Sequence, residues 1–199
     1  KSSHYQIKVN LKTGKNTILI QNPICSKADS AYIQYSRMGN ELKKATKEWA
    51  SITKQPEKPI IFSICEWGIN MPWHWGAKSG NLWRTTPDIC PRWSSIMAIY
   101  ERNIKLWKYS GIGAWNDPDM LEVGNGEPSE DENKSHFTLW CMMASPLILG
   151  NDIRKFIDNN GEVISNNTTL QIVTNKNLIN IDQDALGKAA KRIKFSLGI

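Results

Sequence analysis

No apolar run in these 199 residues approaches the roughly 20 needed to cross a bilayer. The N-terminal Lys1-Ser2-Ser3-His4 likewise has none of the apolar stretch that an export signal carries. Cysteine is sparse. No two of Cys25, Cys65, Cys90 and Cys141 are separated by only two residues and no His-x-x-x-His accompanies them, so no zinc pattern is present and no metal is expected. One disulfide fits these four, with Cys65–Cys90 the favoured pair. Neither G-x-G-x-x-G nor G-x-x-x-x-G-K occurs, which removes the common phosphate-cradling turns. A dense basic patch is missing too: the net charge of +6 is scattered, and its densest run, Lys43, Lys44 and Lys47, shares a predicted helix with Glu41 and Glu48. That pattern is a solvated helix face, and no nucleic-acid partner is expected.

What is present is an ordinary globular balance, 40% hydrophobic and 22% charged, with one excess. There are nine Trp, five of them (Trp67, Trp73, Trp75, Trp83, Trp93) in one stretch. Large flat aromatic surfaces serve cores and interfaces, and they also stack on sugars.

Residues 5–20 alternate apolar and polar around Thr13-Gly14-Lys15, the pattern of a β-hairpin. From Asp29 or Ser30, a helix is expected in which Tyr35, Met38, Leu42, Ala45 and Trp49 recur at helical spacing. Pro59–Cys65 is a nearly continuous apolar run, as in a fully buried parallel strand. A second strand at Leu82–Thr86 leads to a helix starting near Pro91 with Ile96, Tyr100, Ile104 and Trp107 on one face. A third strand at about 111–115 precedes Trp115–Met120. Ser129 and Glu132 have capping-box spacing ahead of a helix through Phe137, Trp140 and Met143. Pro146–Leu149 reads as a fourth strand, followed by a weaker helical stretch at 168–174. Strand alternating with helix predicts an α/β fold with a parallel sheet and helical crossovers.

A (β/α)8 barrel places functional side chains at the C-terminal ends of several strands. The strand ends here carry Glu66-Trp67, then Arg84 and Asp88, then Asp117 and Asp119, then Asp152. Several carboxyl groups and an Arg among Trp side chains suit glycoside hydrolysis, which needs two carboxyls astride the scissile bond. Asp117-Pro118-Asp119 fits a plain Asx turn equally well. Glu66, directly after a buried strand, needs a partner or a ligand.

The wording of five segments carries more. Phe62–Gly68 (FSICEWG), Gly80–Ile89 (GNLWRTTPDI), Gly113–Leu121 (GAWNDPDML), Ala144–Arg154 (ASPLILGNDIR) and Asn180–Gly187 (NIDQDALG) resemble, in order, glycoside hydrolase family 27, the α-galactosidase family. The resemblance covers roughly residues 30–190. It implies a retaining α-galactosidase on a (β/α)8 TIM barrel without metal or organic cofactor, acting on galactose-containing oligosaccharides or glycans. Asp88 matches the general acid/base. Arg84 matches a neighbour that contacts the sugar and helps set carboxylate charge, Glu66 and Trp67 the loop that reads the sugar 2-position, and Asp119 and Met120 residues of the pocket floor. Cys65 matches a cysteine that is disulfide-bonded in many relatives. Glu66 in place of the smaller residue of N-acetylgalactosaminidases favours a free 2-hydroxyl.

Two departures stand out. The Lys-Tyr-Asp-type segment bearing the family's nucleophile is missing before the helix at 30–50, where the hairpin Tyr5–Ile20 stands instead. The expectation is therefore that residues 1–27 end an inserted β-sandwich module, such as a carbohydrate-binding one. Residues 28–190 would then form about the last four β/α units of the barrel and 191–199 the start of a C-terminal extension. On that reading the nucleophile lies upstream of residue 1, the rest of the same catalytic domain is required, and this chain alone is inactive. The second departure is Pro87, where relatives commonly have Gly, with Cys90 just after Asp88. The alternatives in view are a β-L-arabinopyranosidase, an α-N-acetylgalactosaminidase, or a non-catalytic sugar-binding protein. Asn133 and Asn167 head N-glycosylation sequons, and a secreted or periplasmic bacterial location is expected.

Overall fold

The computed structural model describes residues 27–194. The hairpin, the proposed inserted module and Cys25 lie outside the described residues. The first helix, α1 (Lys27–Thr53), begins before Asp29 and Ser30, so neither caps it as expected. Its enclosed face is Gly39 and Thr46 flanked by half-buried Tyr35, Leu42 and Trp49, whereas Met38 and Ala45 are exposed. Gly39 explains the rotation: a Cβ there would lie 2.0 Å from the carbonyl oxygen of Ser79, so only glycine lets α1 approach the short helix α2 (Gly76–Ser79).

Three parallel strands, β1 (Ser63–Ile64), β2 (Leu82–Arg84) and β3 (Trp115–Asp117), lie side by side in chain order. Leu82 pairs with both Ser63 and Trp115, which fixes the register. Separate from this three-stranded sheet, an isolated parallel bridge pairs Leu121 with Leu149, with Leu121 N–H donating to the Ile148 carbonyl at 2.7 Å. The expected fourth strand is thus reduced to that bridge. The third lies later than expected, because Gly111 and Ala114 close a tight antiparallel turn ahead of it. The first run is not fully buried either. Ile64 is enclosed but Ile60 and Ile61 are exposed, since described residues cover only one face of β1.

Helices α3 (Trp93–Asn103), α4 (Glu130–Met142), α5 (Thr168–Val173) and α6 (Lys176–Asp182) follow the strands. Pro91 precedes α3 by two residues rather than opening it. At α4 the capping box forms as its spacing predicts: Ser129 Oγ accepts from Glu132 N–H while the Glu132 carboxylate accepts from Ser129 N–H. One apolar core joins Ile96 and Ile99 of α3, Phe137 and Trp140 of α4, Ile172 and Val173 of α5, and Leu121 and Val123 beyond β3.

Cys65, Cys90 and Cys141 are free thiols, so the Cys65–Cys90 bridge is not formed. Cys65 is exposed at the end of β1, while Cys90 is tied into the approach to α3, its N–H donating to Ser95 Oγ at 2.9 Å. Among the described residues, no helix is long and apolar enough to cross a membrane.

Candidate active site

The C-terminal ends of β1, β2 and β3 are adjacent, and the next residues of each are stitched to the neighbour. Gly68 N–H donates to the Arg84 carbonyl at 3.1 Å, and Thr85 N–H to the Asp117 carbonyl at 2.9 Å. Thr86 Oγ1 donates to the Pro118 carbonyl at 3.1 Å. Gly68, at φ 77°, leaves no room for a side chain: a Cβ would sit 2.1 Å from the Thr85 carbonyl oxygen.

On this platform the structure brings Arg84, Asp88 and Asp119 together. Arg84 Nη2 lies 2.8 Å from Asp119 Oδ2 and 3.0 Å from Asp88 Oδ1, and also donates to the Thr86 carbonyl at 3.1 Å. Arg84 and Asp119 are enclosed, whereas the Asp88 side chain is 74% exposed. An exposed carboxylate whose direction is set by a buried guanidinium is free to exchange a proton with a bound molecule. Among the described residues Arg84 Nε has no partner, so within them this guanidinium is incompletely satisfied.

Trp67 and Met120 are 47% and 40% exposed at the same strand ends. Trp67 sits at φ 54°, in the left-handed region that bulky residues rarely adopt. Glu66 is engaged elsewhere: its carboxylate accepts from Asn70 Nδ2 and, with burial, raises the pKa of Tyr35. Asp152 is not brought in, being paired with Arg154 on its own turn, a contact that holds its pKa at about 2.

Asp117 forms the Asx turn, its Oδ1 accepting Asp119 N–H at 2.9 Å, and that turn lies directly beneath the cluster. Its carboxyl is pushed above the usual range by burial, against the lowering effects of Asp119 N–H and Arg84. Three further residues escaped sequence reasoning. Trp140 Nε1 donates to the Asp119 carbonyl at 2.8 Å from helix α4, a nonlocal contact that no spacing signals. Asn116 accepts from Trp83 Nε1 at 2.8 Å, locking β2 to β3. Buried His136 accepts from Glu122 N–H at 3.0 Å. Asn133, heading one sequon, is itself buried, its amide bonded to Gly124 and Pro128. Asn167, heading the other, caps α5. Among the described residues, no three His, Cys, Asp or Glu side chains gather where they could hold a metal ion.

Residues 25–184 match a family model described as Alpha galactosidase A. The chain is 45% identical over 146 residues to Alpha-galactosidase A of Cellvibrio japonicus, covering 68% of this chain and 34% of that protein. It is 37% identical over 176 residues to an alpha-galactosidase of Oryza sativa subsp. japonica, covering 88% of this chain and 37% of that one. Among solved structures, alpha-galactosidase I from Mortierella vinacea aligns with a TM-score of 0.70 at 31% identity, over 85% of this chain and 43% of that one. The chain thus spans about a third of the length of the curated relatives it matches, 34% and 37% in these two.

Proposed function

The chain belongs to the alpha galactosidase A family, and we propose that it supplies the acid/base side of a retaining glycoside hydrolase that removes terminal α-linked galactose. The observation that carries this reading is the Arg84–Asp88–Asp119 cluster at the ends of adjacent parallel strands. Asp88 protonates the glycosidic oxygen as the bond to the sugar breaks, then takes a proton from the water that releases the glycosyl-enzyme. Arg84 fixes the direction of that carboxyl. Trp67 and Met120 offer half-exposed apolar surface for the sugar ring. Glu66 keeps an oxygen for the sugar 2-hydroxyl while Asn70 occupies the other.

The three parallel strands and the helices that follow them are assigned to a (β/α)8 barrel of which this chain holds about four units. The nucleophile is a second carboxylate placed outside this chain, on the rest of the same catalytic domain. Substrates are galactose-bearing oligosaccharides or glycans, and a secreted or periplasmic location accords with them.

Two measurements test the reading. The full-length protein should hydrolyse an aryl α-galactoside, and Asp88→Ala should lower that rate by about 10³-fold, within the span of general acid–base catalysis. The purified 199-residue chain should show no turnover, because an acid/base without a nucleophile forms no glycosyl-enzyme. Turnover by the isolated chain that Asp88→Ala abolishes would contradict the assignment of the nucleophile.

A further inference from the structure

Asp119 is only 6% exposed, and its hydrogen-bonding capacity is turned inward. Its Oδ2 accepts the Ile89 N–H at 2.7 Å and lies 2.8 Å from Arg84 Nη2, while Oδ1 accepts Met120 N–H at 2.8 Å. Little surface remains for a sugar hydroxyl. The two groups on Oδ2 share one destination. Ile89 N–H belongs to the peptide unit directly after Asp88, and Arg84 donates to Asp88 Oδ1 at 3.0 Å. Pro87, on the other side of Asp88, has no N–H to anchor. The segment is therefore gripped at Ile89 and at Thr86, whose hydroxyl reaches the Pro118 carbonyl.

Asp119 is itself held from behind. Its N–H goes to Asp117 Oδ1 and its carbonyl accepts Trp140 Nε1–H at 2.8 Å. Its φ of 98° is a left-handed conformation that such anchors must maintain.

We propose that Asp119 is a positioning residue for the acid/base rather than a sugar-binding one: it fixes Asp88 through the Ile89 N–H and through Arg84. The proposal rests on the galactosidase reading of Asp88.

In the full-length protein, Asp119→Asn should lower kcat/KM for an alkyl α-galactoside, whose leaving group needs the proton, by about 100-fold. For a dinitrophenyl α-galactoside, whose leaving group needs no proton, the loss should stay below about tenfold, with inhibition by galactose unchanged. In an Asp88→Ala background the same substitution should cost less than about twofold on the dinitrophenyl substrate, because the residue through which it acts is gone. Equal losses on both substrates with weakened galactose inhibition, or a cost that persists without Asp88, overturn the proposal. Amide exchange at Ile89 in the full-length protein reads the same anchor without turnover. It should be slow in the parent and at least about tenfold faster in Asp119→Ala, and an unchanged rate overturns the proposal. A parent protein that hydrolyses neither galactoside defeats the galactosidase reading, and the Ile89 exchange then decides the anchor by itself.

Discussion

Arg84 and Arg154 each pair with a carboxylate, yet enclosure makes the two pairs different objects. The side chains of Arg84 and Asp119 are 11% and 8% exposed, whereas Arg154 and Asp152 are at 84% and 36%. Removing one partner of an enclosed pair strands the other charge away from water, at a cost of about 3–5 kcal/mol. Arg84→Leu should therefore destabilise the chain by about 3 kcal/mol in urea denaturation. Arg154→Ala should leave the urea midpoint where it was, because water and salt already screen that pair. Arg84, Asp88 and Asp119 could be picked out in the sequence because they follow expected strands within GNLWRTTPDI and GAWNDPDML, segments that resemble the family. Asp117 was not distinguishable there: the plain turn that its sequence fits does form, and that Asx turn is what holds Asp119.

Among the elements, those written by local rules were legible and those decided by distant neighbours were not. Helix α4 begins at Glu130 because Ser129 and Glu132 satisfy each other's N–H groups within one turn. Ser129→Ala should cost about 1 kcal/mol of stability, read as a lower urea midpoint with an unchanged slope. A shift in the slope would mean that more than the cap had been lost. Run 59–65 was harder to place, because an apolar sequence states what a strand could bury, whereas burial itself depends on what lies opposite. Among the described residues only Ile64 is fully enclosed, with Phe62 half-buried against Tyr35. Helix α1 slipped its expected face for a related reason. The close approach of Gly39 to Ser79 outweighs the apolar stripe through Met38, and a glycine contact leaves no mark in hydrophobic periodicity.

At the scale of the whole molecule, two buried titratable groups pull stability in opposite directions with pH. His136 has its pKa lowered from 6.5 to about 4 by burial. Between those values the unfolded chain binds the extra proton, so stability rises with pH through this window, by up to about 3 kcal/mol. Asp182 is the reverse case, its carboxyl pushed by burial from 3.8 to about 6. One of its oxygens accepts from Gln183 at 2.6 Å, while the other, buried, has no partner among the described residues; the residue lines a cavity of about 570 Å³. Here the folded chain holds the extra proton, so stability falls as pH rises from 3.8 to 6, by roughly 3 kcal/mol. The two contributions nearly cancel, which leaves the contribution of this pair close to flat across their shared window. Each variant should then expose the other's slope. Asp182→Asn should gain stability steeply between pH 4 and 6, the His136 contribution no longer being offset by Asp182. His136→Gln, which keeps an acceptor for Glu122 N–H, should lose stability over the same range. Urea midpoints of both variants at pH 4.5 and pH 6 decide the matter: slopes of opposite sign are required, and parallel ones would show that at least one of the two groups does not carry its shift.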